Sequence, residues 1–397
     1  MQDYVKRALI VALIVAVVAI GATGCATQQQ ASPTPAQSPL APYKVGAVFA
    51  VTGFNSPLGT PEQQTVEMLE NQINAAGGIN GHPLDVVVYD TASDTPTCVT
   101  LVKRLLDQDK VVAVIGPSST GESLALLDTV KAANTTLVSC AASATIVQPV
   151  NYWVFKTPQS DILAIKEIIT YLHTLGINKV GLITDAAGFG KTGRDALLVE
   201  LPKGNITIVA DEKFETTATD MTVQMTKIGG TDAQAVICWG TNPGPAIVAK
   251  NMKDLNMTIP LIQSHGIANM KFIELAGAAA NGVVFPAGKL LVAEQLSASD
   301  PQRALLVKYK QDFEAAYGNG TANTFGGHAY DALIMVVDAL EAVGPDKAAI
   351  RGYIENDIVN WPGTGGVFNM SPQDHNGLGP GAFVMIKIVD GKWTWLK

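Results

Sequence analysis

The sequence predicts an α/β fold in two lobes, each a parallel β-sheet flanked by helices. Two observations carry this expectation. Short β-branched runs alternate with helical patterns from Tyr43 onward, the rhythm of right-handed β-α-β units. The rhythm restarts after Asn151, and 397 residues are enough for two separate cores.

The first series opens with the strand "YKVGAVFA" (43–50) and a helix starting at Thr60-Pro61-Glu62-Gln63. There Thr60 can cap, Pro61 suits the first helical position and Gln63 completes a capping box. Val66, Leu69, Ile73 and Ala76 form one apolar face, and Gly77-Gly78 stops the helix. "LDVVVYD" (84–90) is the next strand, "CVTLVKRLLDQD" (98–109) a helix and "VVAVIGP" (111–117) a strand. A helix from about Gly121 to Ala133 then precedes "TTLVSC" (135–140).

In the second series, "YWVFKTPQSD" (152–161) reads as a strand and a link, with Ser160 or Asp161 capping a helix over 162–175. "KVGLITD" (179–185), "ITIVAD" (206–211), "AQAVICWG" (233–240) and "TIPLIQS" (258–264) alternate with helices, and "NGVVFPAG" (281–288) closes the series. Two helices follow, over 300–317 and 330–344. The segments "GVFNMSP" (366–372) and "AFVMIKIVDGKWTWL" (382–396) read as a β-ribbon with Asp390-Gly391 at its turn.

Composition narrows the function. Apolar residues make up 47% and charged residues 16%, so most of the chain is globular. A net charge of -8, with no basic stripe, argues against nucleic acid as a partner. Lys6 and Arg7 precede an apolar stretch, 8–20, and the small residues Gly21-Ala22-Thr23-Gly24 lead to Cys25. This is the pattern of an export signal; a membrane anchor is the alternative, although spanning takes about 20 apolar residues. The cysteine makes the segment resemble a lipoprotein signal (1–24), with Cys25 lipidated, although Ala22 stands where leucine is commoner. Residues 25–42, polar and proline-rich, then form a lipid-anchored flexible tether. Cys98, Cys140 and Cys238 have no paired spacing and are expected as small buried hydrophobes.

Catalytic motifs fall short. Gly190-Lys191-Thr192 ends like a phosphate-binding loop, but Asp185 holds the first glycine position, where a carboxylate would face the phosphates. "GPSST" (116–120) has Thr120 in place of the second glycine of a serine-hydrolase elbow. His82, His173, His265, His328 and His375 are scattered without metal-ligand spacing, and most are expected to be surface or hydrogen-bonded structural residues. The reading is a binding protein with no cofactor and no metal, and not an enzyme.

The segments "KVGAVFAVTG", "INAAGGINGHPLDVVVYD", "VVAVIGPSSTGESLA", "LVSCAASA", "FGKTGRD" and "GGHAYDA" stand in an order that resembles one family. The body, about residues 43–395, resembles the leucine/isoleucine/valine-binding family of type I periplasmic binding proteins, which serve ABC importers. The resemblance implies the two-lobed type I periplasmic-binding-protein fold, with three hinge crossings near 157–160, 286–290 and 363–366. Lobe 1 is then 43–158 plus 289–364, and lobe 2 is 159–288 plus 365–397. It also implies a monomer on the extracytoplasmic face, held to the membrane by lipid alone. Its partners would be a small-molecule carboxylate ligand and an ABC permease with its ATPase subunits.

Site residues follow from the resemblance one at a time. Thr120 matches a hydroxyl position, and with the N–H groups of the helix start at Gly121 it would hold a carboxylate; the alternative is a plain N-cap. Ala142 and Ser143 match a second carboxylate loop, although Ser143 could instead stabilise its own turn. Phe189 matches an aromatic that closes over ligand, with core packing as its alternative. Thr241 and Asn242 lie at a cleft-facing turn, and Leu58 sits where amino-acid binders often carry a larger aromatic. His265 occupies the place of an acidic residue that pairs with a ligand ammonium, unless the alignment is off by a residue or Asp185 or Glu122 compensates. The carboxylate half of such a site is retained and the ammonium half is open. The ligand could be a neutral amino acid or a non-amino, for example aromatic, carboxylate. A ligand-sensing receptor subunit is a third reading.

Overall fold

The computed structural model describes residues 40–397; the signal, Cys25 and most of the expected tether lie outside the described residues. The first sheet has the order β2-β1-β3-β4-β5 and is parallel throughout. Its strands are β1 (Tyr43–Phe49), β2 (Leu84–Asp90), β3 (Ala113–Ile115), β4 (Thr136–Ser139) and β5 (Val154–Lys156). Successive side chains of a strand point to opposite faces, so a sheet covered on both sides needs unbroken apolar runs. In β1, Ala47 and Phe49 join one core while Val48 joins another on the far face. Helix α1 (Ser56–Ala75) packs on the first face; α2 (Thr95–Arg104) and α3 (Thr120–Ala132) pack on the second.

The second sheet has the order β14-β13-β10-β9-β8-β6-β7. Its parallel part is β6 (Lys179–Asp185), β7 (Thr207–Phe214), β8 (Ala235–Trp239), β9 (Leu261–Gln263) and β10 (Val284–Gly288). Helices α4 (Asp161–Thr174) and α5 (Gly188–Lys203) cover one face. The other is covered by α6 (Thr222–Gly229), α7 (Gly244–Asp254) and α8 (Met270–Ala276). A hairpin, β13 (Phe383–Val389) and β14 (Lys392–Trp395), adds antiparallel to β10, turning at Asp390-Gly391, both at positive φ. The expected architecture of two sheets flanked by helices is therefore present.

Three helices return to the first lobe: α9 (Arg303–Tyr317), α10 (Thr324–Val343) and α11 (Lys347–Asp357). They are followed by a small ribbon of β11 (Val359–Pro362) and β12 (Val367–Asn369). The ribbon departs from expectation, since "GVFNMSP" pairs with β11 and not with the last hairpin. Phe368, Met370, Leu378 and Ala382 all belong to the first lobe's core. The chain thus stays with that lobe until it enters β13, past the expected crossing at 363–366. Asp331 of α10 anchors the intervening loop, accepting from the N–H groups of Thr364 (2.6 Å) and Gly365 (2.7 Å). Gln159, in the first crossing, donates to the carbonyls of Gly365 (2.6 Å) and Ala382 (3.2 Å), so two of the connections are tied together.

The start of α1 is also corrected. Asn55 is the N-cap, and Pro57 takes the early position expected of Pro61. Thr60 is no cap; its hydroxyl donates to the Val51 carbonyl at 3.2 Å. Pro61 falls inside the helix. A proline there has no N–H for the carbonyl four residues back, which leaves the Pro57 carbonyl without its helical donor. Cys98, Cys140 and Cys238 are buried and free.

Candidate ligand-binding site

Parallel sheets gather their loops at the carboxyl ends of the strands, and there the lobes enclose a cavity of about 120 Å³. Thr120, Gly121, Ala142 and Leu58 line it from the first lobe. Phe189, Thr241 and His265 line it from the second. Ser143 and Asn242, also expected at the site, are not on its wall. The Ser143 hydroxyl pairs with Thr145 at 2.9 Å, accepts from the Thr145 N–H at 3.3 Å and reaches Asp161 at 3.3 Å. That is the turn-stabilising alternative. Asn242 is buried behind Thr241, with neither amide atom hydrogen-bonded.

Thr120 is not an N-cap. Ser119 takes that role: its hydroxyl accepts from the Glu122 N–H at 3.3 Å and donates to the Glu122 carboxylate at 2.6 Å. Thr120 is the first residue of α3, it is buried, and its hydroxyl has no partner within the protein. Free N–H groups and the helix dipole make such a start an anion site, with a hydroxyl to spare. Beneath it, the Ser118 hydroxyl donates to Glu62, which is fully buried and whose pKa burial raises well above the usual carboxyl range. Burial thus favours the uncharged form of Glu62 beneath the helix start.

The second lobe presents rings. His265 makes edge contacts with Phe189 (5.3 Å between centroids) and Trp239 (5.7 Å), and lies 5.2 Å from the Phe383 ring. Phe189 packs on Trp239 at 5.6 Å, the core-packing alternative, and also lines the cavity. Burial, helped by the nearby Lys156 charge, lowers the His265 pKa to about 3, so the ring is neutral. Asp185 also lines the cavity. One of its oxygens accepts from the Ala187 N–H (2.6 Å) and the Thr216 hydroxyl (2.9 Å), and burial raises its pKa. Lys191, from the phosphate-loop look-alike, is exposed within α5 and pairs with Asp195 at 2.9 Å.

Sequence reasoning missed His328, Ser118, Ser119 and Asn55, all on the cavity wall. His328 escaped because its helix was expected to begin at Tyr330. Asn323 caps α10 about two turns earlier, accepting from the N–H groups of Phe325 (3.0 Å) and Gly326 (3.2 Å). The Asn-Thr pair at 323–324 was the available signal.

The lobes touch around the cavity. The Asn269 amide donates to the Pro57 carbonyl at 2.9 Å, the Thr241 hydroxyl to Asn55 at 3.4 Å, and the Thr324 hydroxyl to the Ala268 carbonyl at 3.5 Å. Asn269 occupies the N-cap of α8 yet makes no capping bond there. Its amide instead serves the carbonyl that Pro61 leaves free. At Gly188 the backbones also approach closely: a Cβ there would lie 2.8 Å from the Gly121 nitrogen and 3.0 Å from its Cα.

Two α/β lobes closing on a cavity lined by strand-end loops match the family described as periplasmic binding protein, over residues 42–392. The chain belongs to that family. An amino acid binding protein of Pseudomonas aeruginosa is 24% identical over 305 residues, covering 72% of this chain and 80% of the relative. The Leu/Ile/Val-binding protein of Escherichia coli is 22% identical over 276 residues, covering 69% and 74%. An extracellular ligand-binding receptor from Rhodopseudomonas palustris superposes with a TM-score of 0.84 at 27% identity, covering 90% of this chain and 100% of that one. The branched-chain amino acid transporter substrate binding protein LivJ of Streptococcus pneumoniae, solved with isoleucine, gives 0.79 at 25% identity, covering 90% and 99%. Periplasmic binding proteins are binders and not enzymes, and so is this chain. No helix among the described residues is long and apolar enough to cross a membrane.

Proposed function

We propose that this periplasmic binding protein is the substrate-binding lipoprotein of an ABC importer of the branched-chain amino acid type. It captures a small carboxylate-bearing ligand of the amino-acid class between its lobes and delivers it to a membrane permease. The observation that carries the reading is Thr120: a buried, unpartnered hydroxyl at the first turn of α3, on the wall of an interlobe cavity. The names of the relatives, which include Leu/Ile/Val-binding proteins, support the ligand class. Cys25 is the proposed lipid attachment point, checked by detergent phase partition of the wild type against Cys25→Ala.

A second reading, a non-amino carboxylate, is favoured by His265, a neutral ring where an ammonium would need a negative charge. A thermal-shift panel of amino acids, aliphatic acids and aromatic acids tests both, because a ligand that binds only the folded chain raises its melting temperature. Stabilisation by no carboxylate at all would sink the proposal.

A further inference from the structure

We propose that the ligand carries, besides its carboxylate, an uncharged hydroxyl or carbonyl group held between His265 and His328, and that it carries no ammonium. This rests on the carboxylate reading above and takes its second form, a non-amino carboxylate, against the amino-acid one. His265 belongs to the loop after β9 in the second lobe; His328 belongs to the second turn of α10 in the first. Both line the one cavity, from opposite lobes, and only 6% and 5% of their surfaces are exposed. Neither ring nitrogen of His265 has a hydrogen-bond partner, and Nδ1 of His328 has none. Buried polar atoms are rarely left so, and a ligand group that reaches them recovers the lost bonds.

The kind of group follows from the state of the rings. Burial lowers both pKa values to about 3, so each imidazole offers one donor and one acceptor at neutral pH. A hydroxyl donates and accepts, and a carbonyl accepts; either matches such a pair. An ammonium only donates, and in a water-poor cleft it needs a negative partner. The local field runs the other way. The buried ammonium of Lys156 stands close enough to disfavour a positive charge on either ring, and it disfavours one on the ligand for the same reason. Among the described residues, Asp185 is the one acidic side chain on the cavity wall. One of its oxygens is already doubly hydrogen-bonded, and burial favours its protonated form. Closure with an amino acid would therefore bury an ammonium against two neutral rings and a buried lysine.

Calorimetric titration of the full chain with two ligand series tests this. One series is 4-methylpentanoate, its 2-hydroxy and 2-oxo forms, and L-leucine; the other is benzoate with 3- and 4-hydroxybenzoate. The expected result is a hydroxy or oxo acid binding about tenfold or more tighter than its unsubstituted parent and than leucine. His265→Ala and His328→Ala should each weaken the hydroxy or oxo acid about tenfold more than they weaken its unsubstituted parent, which erases the preference. Leucine or an unsubstituted parent binding tightest overturns this inference and leaves the carboxylate reading standing. Binding of no acid in either series overturns both. Should a variant fail to fold, the ranking by the wild type decides alone.

Discussion

The first lobe meets the cavity with hydroxyls and main-chain N–H groups at the start of α3, whereas the second meets it with Phe189 and His265 backed by Trp239 and Phe383. The first set is fixed before any ligand arrives: Ser119 and Glu122 cap the helix reciprocally, and the Ala50 N–H donates to Ser118 at 3.0 Å beneath it. The second set needs closure to reach anything bound to the first. Under the proposed function the contrast gives an order of events, in which the anion would dock on α3 and the aromatic lobe would then fold over it. Hinge closure of this kind is a shift between states, driven only by contacts that the closed state makes better.

The strongest way to break that picture is to keep the first set and forbid closure. Gly188→Val places side-chain atoms where Gly121 now lies, 2.8 Å from the nearest Cβ position. Removing the closed state should weaken ligand binding more than about a hundredfold, since affinity scales with the closure-competent fraction. The melting temperature without ligand should hold, and small-angle scattering should show no ligand-induced compaction. Ligand-induced compaction in the variant would refute the order proposed.

Thr120→Val attacks the first set instead. It keeps the shape of the side chain and removes the hydroxyl that has no partner in the protein. A hydrogen bond to a charged group is worth about 1.5–3 kcal/mol, so a carboxylate should bind about ten- to a hundredfold more weakly. Unchanged affinity in a titration would place the carboxylate elsewhere.

The contacts between lobes give a smaller effect. Pro61→Ala restores an N–H that competes for the Pro57 carbonyl, and Asn269→Ala removes the amide that this carbonyl accepts from at 2.9 Å. Each should cost about 0.5–1.5 kcal/mol of closed-state stability, read as a severalfold loss of affinity. A double variant no weaker than either single one would show that the two changes act on the same bond.

These pairings mark where sequence reasoning ends. Strand and helix order was legible because each element writes its own period: β8 is a continuous apolar run, β6 is apolar through its middle, and α4 starts at the expected Ser160 cap. Thr120 and Phe189, at helix starts, and Ala142, in a loop, were legible as residues that follow strands. Helix starts were less so, because Asn55 and Asn323 begin α1 and α10 about one and a half to two turns before the expected starts at Thr60 and Tyr330. The meeting of Pro57 with Asn269, 212 residues apart, follows from how the lobes close and leaves no local trace. Ser143 looked like a ligand donor, but its hydroxyl is engaged by Thr145 and Asp161, partners that only the folded turn assembles.

The smallest predicted effect concerns Lys156, at the end of β5 where the chain first leaves the first lobe. It is fully buried, its Nζ donates to the Pro158 carbonyl at 2.5 Å, and Pro158 lines the cavity. Burial lowers its pKa to about 7, against the opposing pull of Asp161 and Asp374. Below pH 7 its charge favours a ligand anion; above pH 7 that help is lost. His265 and His328, at about 3, stay neutral throughout this range and contribute no change. Carboxylate affinity should therefore fall about two- to fivefold between pH 6 and pH 8, the size expected of one charge acting through a partly screened medium. The stability of the empty chain moves oppositely. Between about pH 7 and 10.5 the unfolded lysine holds a proton that the folded one has lost, so this group makes stability rise with pH across that window. Lys156→Met should flatten the affinity profile, measured by titration at both pH values. A wild-type affinity that does not fall with pH would refute the role of Lys156, and a fall that persists in Lys156→Met would assign the field around the cavity to Asp185, whose ionisation also opposes an anion.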